Sequence, residues 1–238
     1  MFIPLPSKSS PDQSFKLRAV QLLIIANVLI FAYQLYALYR GLSLAEQFGA
    51  IPKRIIYGYA FWLPLPNFFH KTLITSLFLH DAHILQGGFI HIIGNMLYLS
   101  AFGPNIENVI GSLKFMLFYL LCGALATLLY IVSHHNSELP LIGASGAIAG
   151  VMGAHFVACP RERVRCFLLI YIVSLPASVV LVPWIFIQLF NAYFSFQGAP
   201  IAWLAHIGGF SVGMFFIRKF QRTWFRSKHE TYRIRPYS

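Results

Sequence analysis

The feature that most constrains this chain is the stretch from Cys166 to Ile217, in which no residue is charged. A helix needs about 20 apolar residues to cross a bilayer, so this stretch is long enough for two crossings. Gly198 and Pro200 predict the turn between them, at Gln197 to Pro200. With 58% hydrophobic and 11% charged residues, the chain is also too apolar for an ordinary soluble domain. The sequence therefore predicts an integral membrane protein.

Four shorter uncharged runs predict further spans and bring the expected number to six. These runs are Ala19 to Leu38, Ala82 to Ile106, Phe115 to Val132 and Leu139 to Cys159. The first run is long for a signal peptide and lacks a clear small-residue cleavage site, so it is interpreted as a retained span. The predicted fold is thus all-α, a polytopic bundle of six transmembrane helices.

The basic residues predict how these spans are oriented. Fourteen of the 18 Lys and Arg residues fall on the side that carries both termini. By the positive-inside rule, both termini are expected in the cytoplasm. This divides the chain into an N-terminal tail at 1–18, a membrane domain at 19–217 with a large extracytoplasmic loop at about 40–82, and a basic cytoplasmic tail at 218–238. Because no organelle presequence is recognisable, a prokaryotic cytoplasmic (inner) membrane is the expected location.

The net charge and the cysteines indicate little further chemistry. The charge of +11 does not predict a nucleic-acid partner, because the basic residues lie between and after apolar runs rather than on one surface. Some of them are expected to touch anionic membrane lipid. The three cysteines lie within or beside apolar segments and are interpreted as packing residues. The oligomeric state is not predicted.

The fourth predicted span carries a single hydroxyl, Ser145, among small residues. A hydroxyl in hydrocarbon needs a partner at the same depth. Gly146, Gly150 and Ala154 form a stripe on which another helix can approach closely. Taken alone, these residues fit helix-packing filler as well as a functional site. The Gly-x-Ser-x-Gly elbow of soluble hydrolases is not matched, because Ala147 occupies the last glycine position.

The sixth predicted span offers that partner in His206, which is expected near the same outer face as Ser145. Gly209 and Gly213 keep the face of His206 free of bulk, so it can press against the small stripe of the fourth span. An imidazole within hydrogen-bond reach of a serine takes its proton as the oxygen attacks. A lone histidine in a membrane is as often structural, but its pairing with Ser145 favours chemistry.

The second predicted span carries His91 and Asn95, which lie four residues apart and therefore on one helical face. Two uncharged donors can hold a developing oxyanion, although polar residues also join helices together. The backbone N–H of Ser145 offers a further donor. All seven acidic residues lie in loops, tails or span ends, so a Ser-His dyad is predicted rather than a triad.

Together these segments resemble the rhomboid family of intramembrane serine proteases. The resemblance rests on the segments Gly143 to Gly150, Ala205 to Phe210 and His91 to Asn95, on Phe48 to Pro52 and Thr75 to His80 in the first loop, on Phe102-Gly103 with Glu107 and Gly111, and on Pro160-Arg161; it covers about residues 46 to 213. It implies Ser145 as nucleophile, His206 as general base and then acid, and His91 with Asn95 in an oxyanion hole. It also implies no cofactor and no metal. The implied substrates are single-span membrane proteins, with a small side chain before the scissile bond.

Two departures from the family pattern leave questions open. Residues Asp81 to Gln86 intervene before Gly87-Gly88, so either His80 loops back to its usual place or Gln86 substitutes for it. Ala149 stands where some members have an aromatic residue stacked on the histidine, so what holds His206 is not predicted.

The fifth span contains Pro176 and Pro183 and is hypothesised to move to admit substrate, with a static kink as the alternative.

Three rival functions remain open. The first is a catalytically inactive rhomboid-like protein that binds or delivers membrane clients, although the serine and the histidine are both present. The second is a small transporter or channel, for which no inverted repeat is found. The third is a metalloprotease using His80-x-x-His83, for which no His-Glu-x-x-His helix exists.

Overall fold

The computed structural model describes residues 3–5, 18–57, 71–83, 87–168, 171–194 and 202–233. The elements are β1 (Ile3–Pro4), α1 (Ala19–Tyr39), α2 (Leu44–Phe48), α3 (Pro52–Tyr57), α4 (Thr72–Thr75), a 3-10 turn (Ser76–Phe78), α5 (Gly88–Ile110), α6 (Ser112–Ser133), α7 (Ser145–Ala158), β2 (Arg163–Leu168), β3 (Tyr171–Pro176), α8 (Ala177–Phe194) and α9 (Trp203–Arg233). Two predicted features, Gln86 and the turn at Gln197 to Pro200, lie outside the described residues.

The protein is mostly helical, and in the described ranges three helices are long and apolar enough to cross a membrane: α1, α6 and α8. The apolar helix α7 is shorter, with 14 residues. The structure therefore supports a helical membrane protein with several spans. The count of six crossings stays a prediction.

The fourth span begins later than predicted. The sequence suggested a helix from Leu139 to Cys159, but α7 begins only at Ser145. The preceding segment is extended, and Leu141 exchanges two backbone hydrogen bonds with Ala50 of the first loop, at 2.9 and 3.0 Å. Gly143 adopts φ +125, a conformation that glycine tolerates and that cannot continue a helix. Ser145 consequently lies at the very start of its helix.

The fifth span also begins later than predicted, because residues that looked like membrane helix form strands. β2 and β3 pair antiparallel, with Cys166 opposite Val173. β1 adds to the other edge, with Pro4 opposite Cys166, so part of the predicted N-terminal tail is ordered. The all-α prediction was therefore too simple, since β2 and β3 connect α7 to α8 and form a three-stranded sheet with β1.

Helix α7 lies at the centre of the bundle, and all its residues from Gly146 to His155 are buried. Gly209 of α9 lies against the carbonyl of Gly146, and Gly213 lies against the carbonyl of Gly150, so closely that a Cβ at either α9 glycine would overlap the α7 backbone. The predicted close approach of the two glycine-lined helices is confirmed. This contact sets the distance between the helices that carry Ser145 and His206.

The start of α1 is tied to the end of α5 by a buried carboxylate. Glu107 is 3% exposed and accepts hydrogen bonds from the backbone N–H groups of Ala19, at 2.8 Å, and Val20, at 3.1 Å. Ser112 donates a third bond at 2.6 Å. A carboxylate is well placed there, because the first N–H groups of a helix lack partners and carry partial positive charge.

Candidate active site

The structure brings the two predicted reactive side chains into direct contact. The Nε2 atom of His206, on α9, lies 2.8 Å from the Oγ atom of Ser145, the first residue of α7. Both side chains are partly buried. The distance is that of a hydrogen bond in which the hydroxyl donates to the imidazole, provided that the imidazole carries its proton on Nδ1.

The other ring nitrogen of His206 also has a hydrogen-bond partner. Its Nδ1 atom lies 2.8 Å from Oε1 of Gln188, a buried residue of α8. The indole rings of Trp184 and Trp203 flank the imidazole, with ring centroids 6.1 and 6.2 Å away. These contacts answer the question raised by Ala149. Sequence reasoning missed Gln188, although a polar residue inside the apolar fifth span is a signal of a polar partner.

His91 lies on the other side of the serine. A Cβ placed on Gly143 would be 3.2 Å from Nε2 of His91 and 3.6 Å from Oγ of Ser145, so the two side chains converge over this glycine. The position must be glycine for two reasons, its positive φ and the space that His91 occupies. The structure thus gathers Ser145, His206 and His91 around one point.

Asn95 is buried but makes a different contact. Its Nδ2 atom donates to the backbone oxygen of His91 at 2.9 Å, one turn back on the same helix. This bond uses one of the two amide hydrogens, and the second stays available to another acceptor. The backbone N–H of Ser145 is a further donor, because the first N–H groups of a helix have no partner within it. The positive end of the α7 helix dipole lies at the same helix start, where it favours a negative charge.

The first loop places a second histidine behind His91. His80 is fully buried, and its ring meets that of His91 edge to face at a centroid distance of 5.2 Å. The backbone of His80 is clamped by Gln34 of α1, which accepts from its N–H and donates to its carbonyl, both at 2.9 Å. Burial, and secondarily the neighbouring His91, lower the pKa of His80 to about 3, so this ring is neutral near pH 7.

Among the residues that the structure describes, His206 forms hydrogen bonds with Ser145 and Gln188, and neither partner is acidic. Asp81 pairs instead with His83, at 2.9 Å. In the described part of the chain, no group of three or more His, Cys, Asp or Glu side chains is arranged to hold a metal ion. The contacts of Ser145, His206 and His91 can supply a nucleophile, a base and hydrogen-bond donors.

Comparison with known proteins points to one family. A family model described as the Rhomboid domain matches residues 70–222. RHOMBOID-like protein 5 of Arabidopsis thaliana is 26% identical over 177 residues, which is 71% of this chain and 47% of the relative. Rhomboid protease GluP of Bacillus subtilis is 31% identical over 144 residues, 60% of this chain and 24% of the relative. Rhomboid-related protein 2 of Mus musculus is 28% identical over 138 residues, 55% of this chain and 43% of the relative. The matches span less than half the length of these relatives.

Proposed function

This chain belongs to the rhomboid family, and on that premise we propose that it is a serine endopeptidase that cleaves peptide bonds within or next to the transmembrane segments of single-span membrane proteins. The observation that carries the proposal is the 2.8 Å contact between Ser145 Oγ and His206 Nε2. A hydroxyl is a weak nucleophile by itself and becomes effective when a base accepts its proton. The name of one relative, Rhomboid protease GluP, supports the same activity.

The reaction follows from the placement of these groups. The Ser145 oxygen attacks the scissile carbonyl carbon while His206 Nε2 takes the hydroxyl proton. The negative charge that develops on the carbonyl oxygen is stabilised by the N–H of Ser145 and by His91, with Asn95 as a further donor. His206 then protonates the leaving amine, which leaves an acyl-enzyme. Water, deprotonated by the same imidazole, attacks the acyl carbon. The bond from this carbon to Ser145 Oγ then breaks, the imidazolium returns the proton to Oγ, and the second fragment leaves as a carboxylic acid.

The membrane setting restricts the substrate. A peptide bond inside a helix is covered by its own hydrogen bonds, so the substrate must unwind before Ser145 can reach it. Ser145 begins α7 and lies a few residues after the polar loop Ser133 to Glu138, which is predicted on the extracytoplasmic side. We therefore place cleavage near the outer leaflet and both termini in the cytoplasm, in accordance with the positive-inside rule. A prokaryotic cytoplasmic membrane remains the predicted location.

The test is cleavage of a panel of tagged single-span proteins by the full chain in liposomes. Wild type is expected to cut at least one substrate, and Ser145→Ala should abolish cleavage. Ser133→Ala, at the exposed end of α6, is the matched control and should cut like wild type. If wild type binds the panel members but releases no fragment, the protease proposal is wrong and the client-binding alternative takes its place.

A further inference from the structure

The fifth span contributes a buried polar side chain to the reactive centre. Gln188 is 5% exposed, although α8 as a whole is the least enclosed of the three candidate spanning helices. Neighbouring side chains of α8, such as Ile187 at 52% exposure, face outward. A buried amide on a largely apolar helix is expensive to keep in hydrocarbon unless it has a partner. The partner here is His206, at 2.8 Å.

This contact selects between the two neutral forms of the imidazole. If Nδ1 carries the proton, it donates to Oε1 of Gln188, and Nε2 has a free lone pair directed at Ser145. If Nε2 carries the proton, the ring presents a donor to the serine and cannot accept its proton. A hydrogen-bond acceptor fixed at Nδ1 therefore favours the form that works as a base.

We propose that Gln188 is a positioning residue that orients His206 and selects its Nδ1-protonated form, which makes the arrangement Ser145-His206-Gln188 rather than a dyad alone. This inference rests on the proposed protease function and deepens it. The amide does the orienting work that a carboxylate does in serine proteases with a triad, but it introduces no buried charge. Because Gln188 lies on α8, the competence of the base depends on the position of that helix.

The competing interpretation is that Gln188 simply satisfies a buried histidine and stabilises the fold. The two interpretations differ in what they predict for variants of similar size. Gln188→Met keeps the length of the side chain and removes the acceptor oxygen. Gln188→Glu keeps an acceptor oxygen at the same reach. A purely structural role predicts that the Met variant melts at a lower temperature, with unchanged turnover per folded molecule.

Two activities should be measured for the full chain in liposomes, with Ile187→Met, on the lipid-facing side of α8, as the matched control. The first is kcat and KM for a tagged single-span substrate. The second is the rate of labelling by a small fluorophosphonate, which reports on Ser145 without requiring a helix to enter. The melting curve of each variant gives the folded fraction at the assay temperature, to which both rates are normalised.

We expect Gln188→Met to lower kcat and the labelling rate by about tenfold to a hundredfold, with KM unchanged. Gln188→Glu and Ile187→Met should stay within a few-fold of wild type. The positioning role is overturned if the Met variant labels as fast as wild type per folded molecule, or if the Glu and Met variants are equally slow. If wild type itself neither cleaves nor labels, the protease proposal fails and the positioning role falls with it.

Discussion

Alanine at Gly209 should force α9 away from α7 and pull His206 off Ser145. A Cβ at Gly209 would lie well inside van der Waals contact with the carbonyl oxygen of Gly146, with the carbonyl carbon 3.0 Å away. Both atoms belong to helix backbone, which cannot rotate aside. The neighbouring Gly208 offers a contrast, because its Cβ would meet the far end of the Leu129 side chain at 2.5 Å. A flexible, exposed leucine can move.

The size of the effect follows from the geometry. Carbon and oxygen atoms in such contacts normally lie about 3.3 Å or more apart, so the two helices must separate by about 1 Å at Gly209. His206 lies one turn before Gly209, so most of this displacement reaches its bond to Ser145, now 2.8 Å long. A misplacement of about 1 Å typically slows catalysis about a hundredfold. Overpacking of this kind also costs about 1–3 kcal/mol of stability.

The assay compares Gly209→Ala and Gly208→Ala by fluorophosphonate labelling and by thermal melting. Gly209→Ala should label about a hundredfold more slowly and melt at a lower temperature. Gly208→Ala should label like wild type, since the strain falls on one side chain and alanine favours helix by about 1 kcal/mol. If both variants label and melt alike, the tight α7–α9 contact does not set the reactive geometry, and the reasoning is refuted.

Three further outcomes are expected. Glu107→Gln should lower the melting temperature, because a neutral amide weakens the charged hydrogen bonds to the start of α1, by about 1–3 kcal/mol in total; a melting curve identical to wild type would contradict this. Gln34→Leu removes both hydrogen bonds that hold the backbone of His80, whose ring packs against His91, and should therefore reduce kcat for a single-span substrate. An unchanged kcat would show that the site does not need these two hydrogen bonds. Replacing Pro176 and Pro183 together by alanine should slow cleavage of a membrane substrate but not fluorophosphonate labelling, and unchanged cleavage would end the hypothesis that α8 moves to admit substrate.

The pairing of Ser145 with His206 could be anticipated because it depends on local periodicity. Gly209 and Gly213 lie on the helical face of His206, and Gly146 and Gly150 form a stripe on the helix that begins with Ser145, so two faces without bulk can meet if the helices pack. The tie between Glu107 and α1 has no such local signal. A carboxylate at a helix end is recognisable, but the helix that it caps is distant in sequence.

The strands and the late starts of α7 and α8 could not be predicted from hydrophobicity. An apolar stretch such as Cys166 to Pro176 looks alike whether it forms a helix or a buried strand, because it shows no alternation. What distinguishes these strands is their pairing, since β2 pairs with β3 and also with β1, which lies at the far end of the sequence, and hydrophobicity does not report pairing. Pro176 accordingly ends a strand, and only Pro183 lies inside α8.

Gln188 was missed for a similar reason. An amide within an apolar span indicates that a polar partner exists, but which residue it is depends on how α8 packs against α9. The Ala149 departure pointed to a missing support for His206 without indicating which helix supplies it.

The activation of Ser145 by His206 can be tested by mapping where a fluorophosphonate attaches to the full chain in liposomes. We expect one adduct on Ser145 in wild type, identified by mass spectrometry of the modified peptide, and its loss in a folded His206→Asn variant. An adduct on another serine, or undiminished modification of Ser145 in the His206→Asn variant, would contradict the claim that His206 activates Ser145.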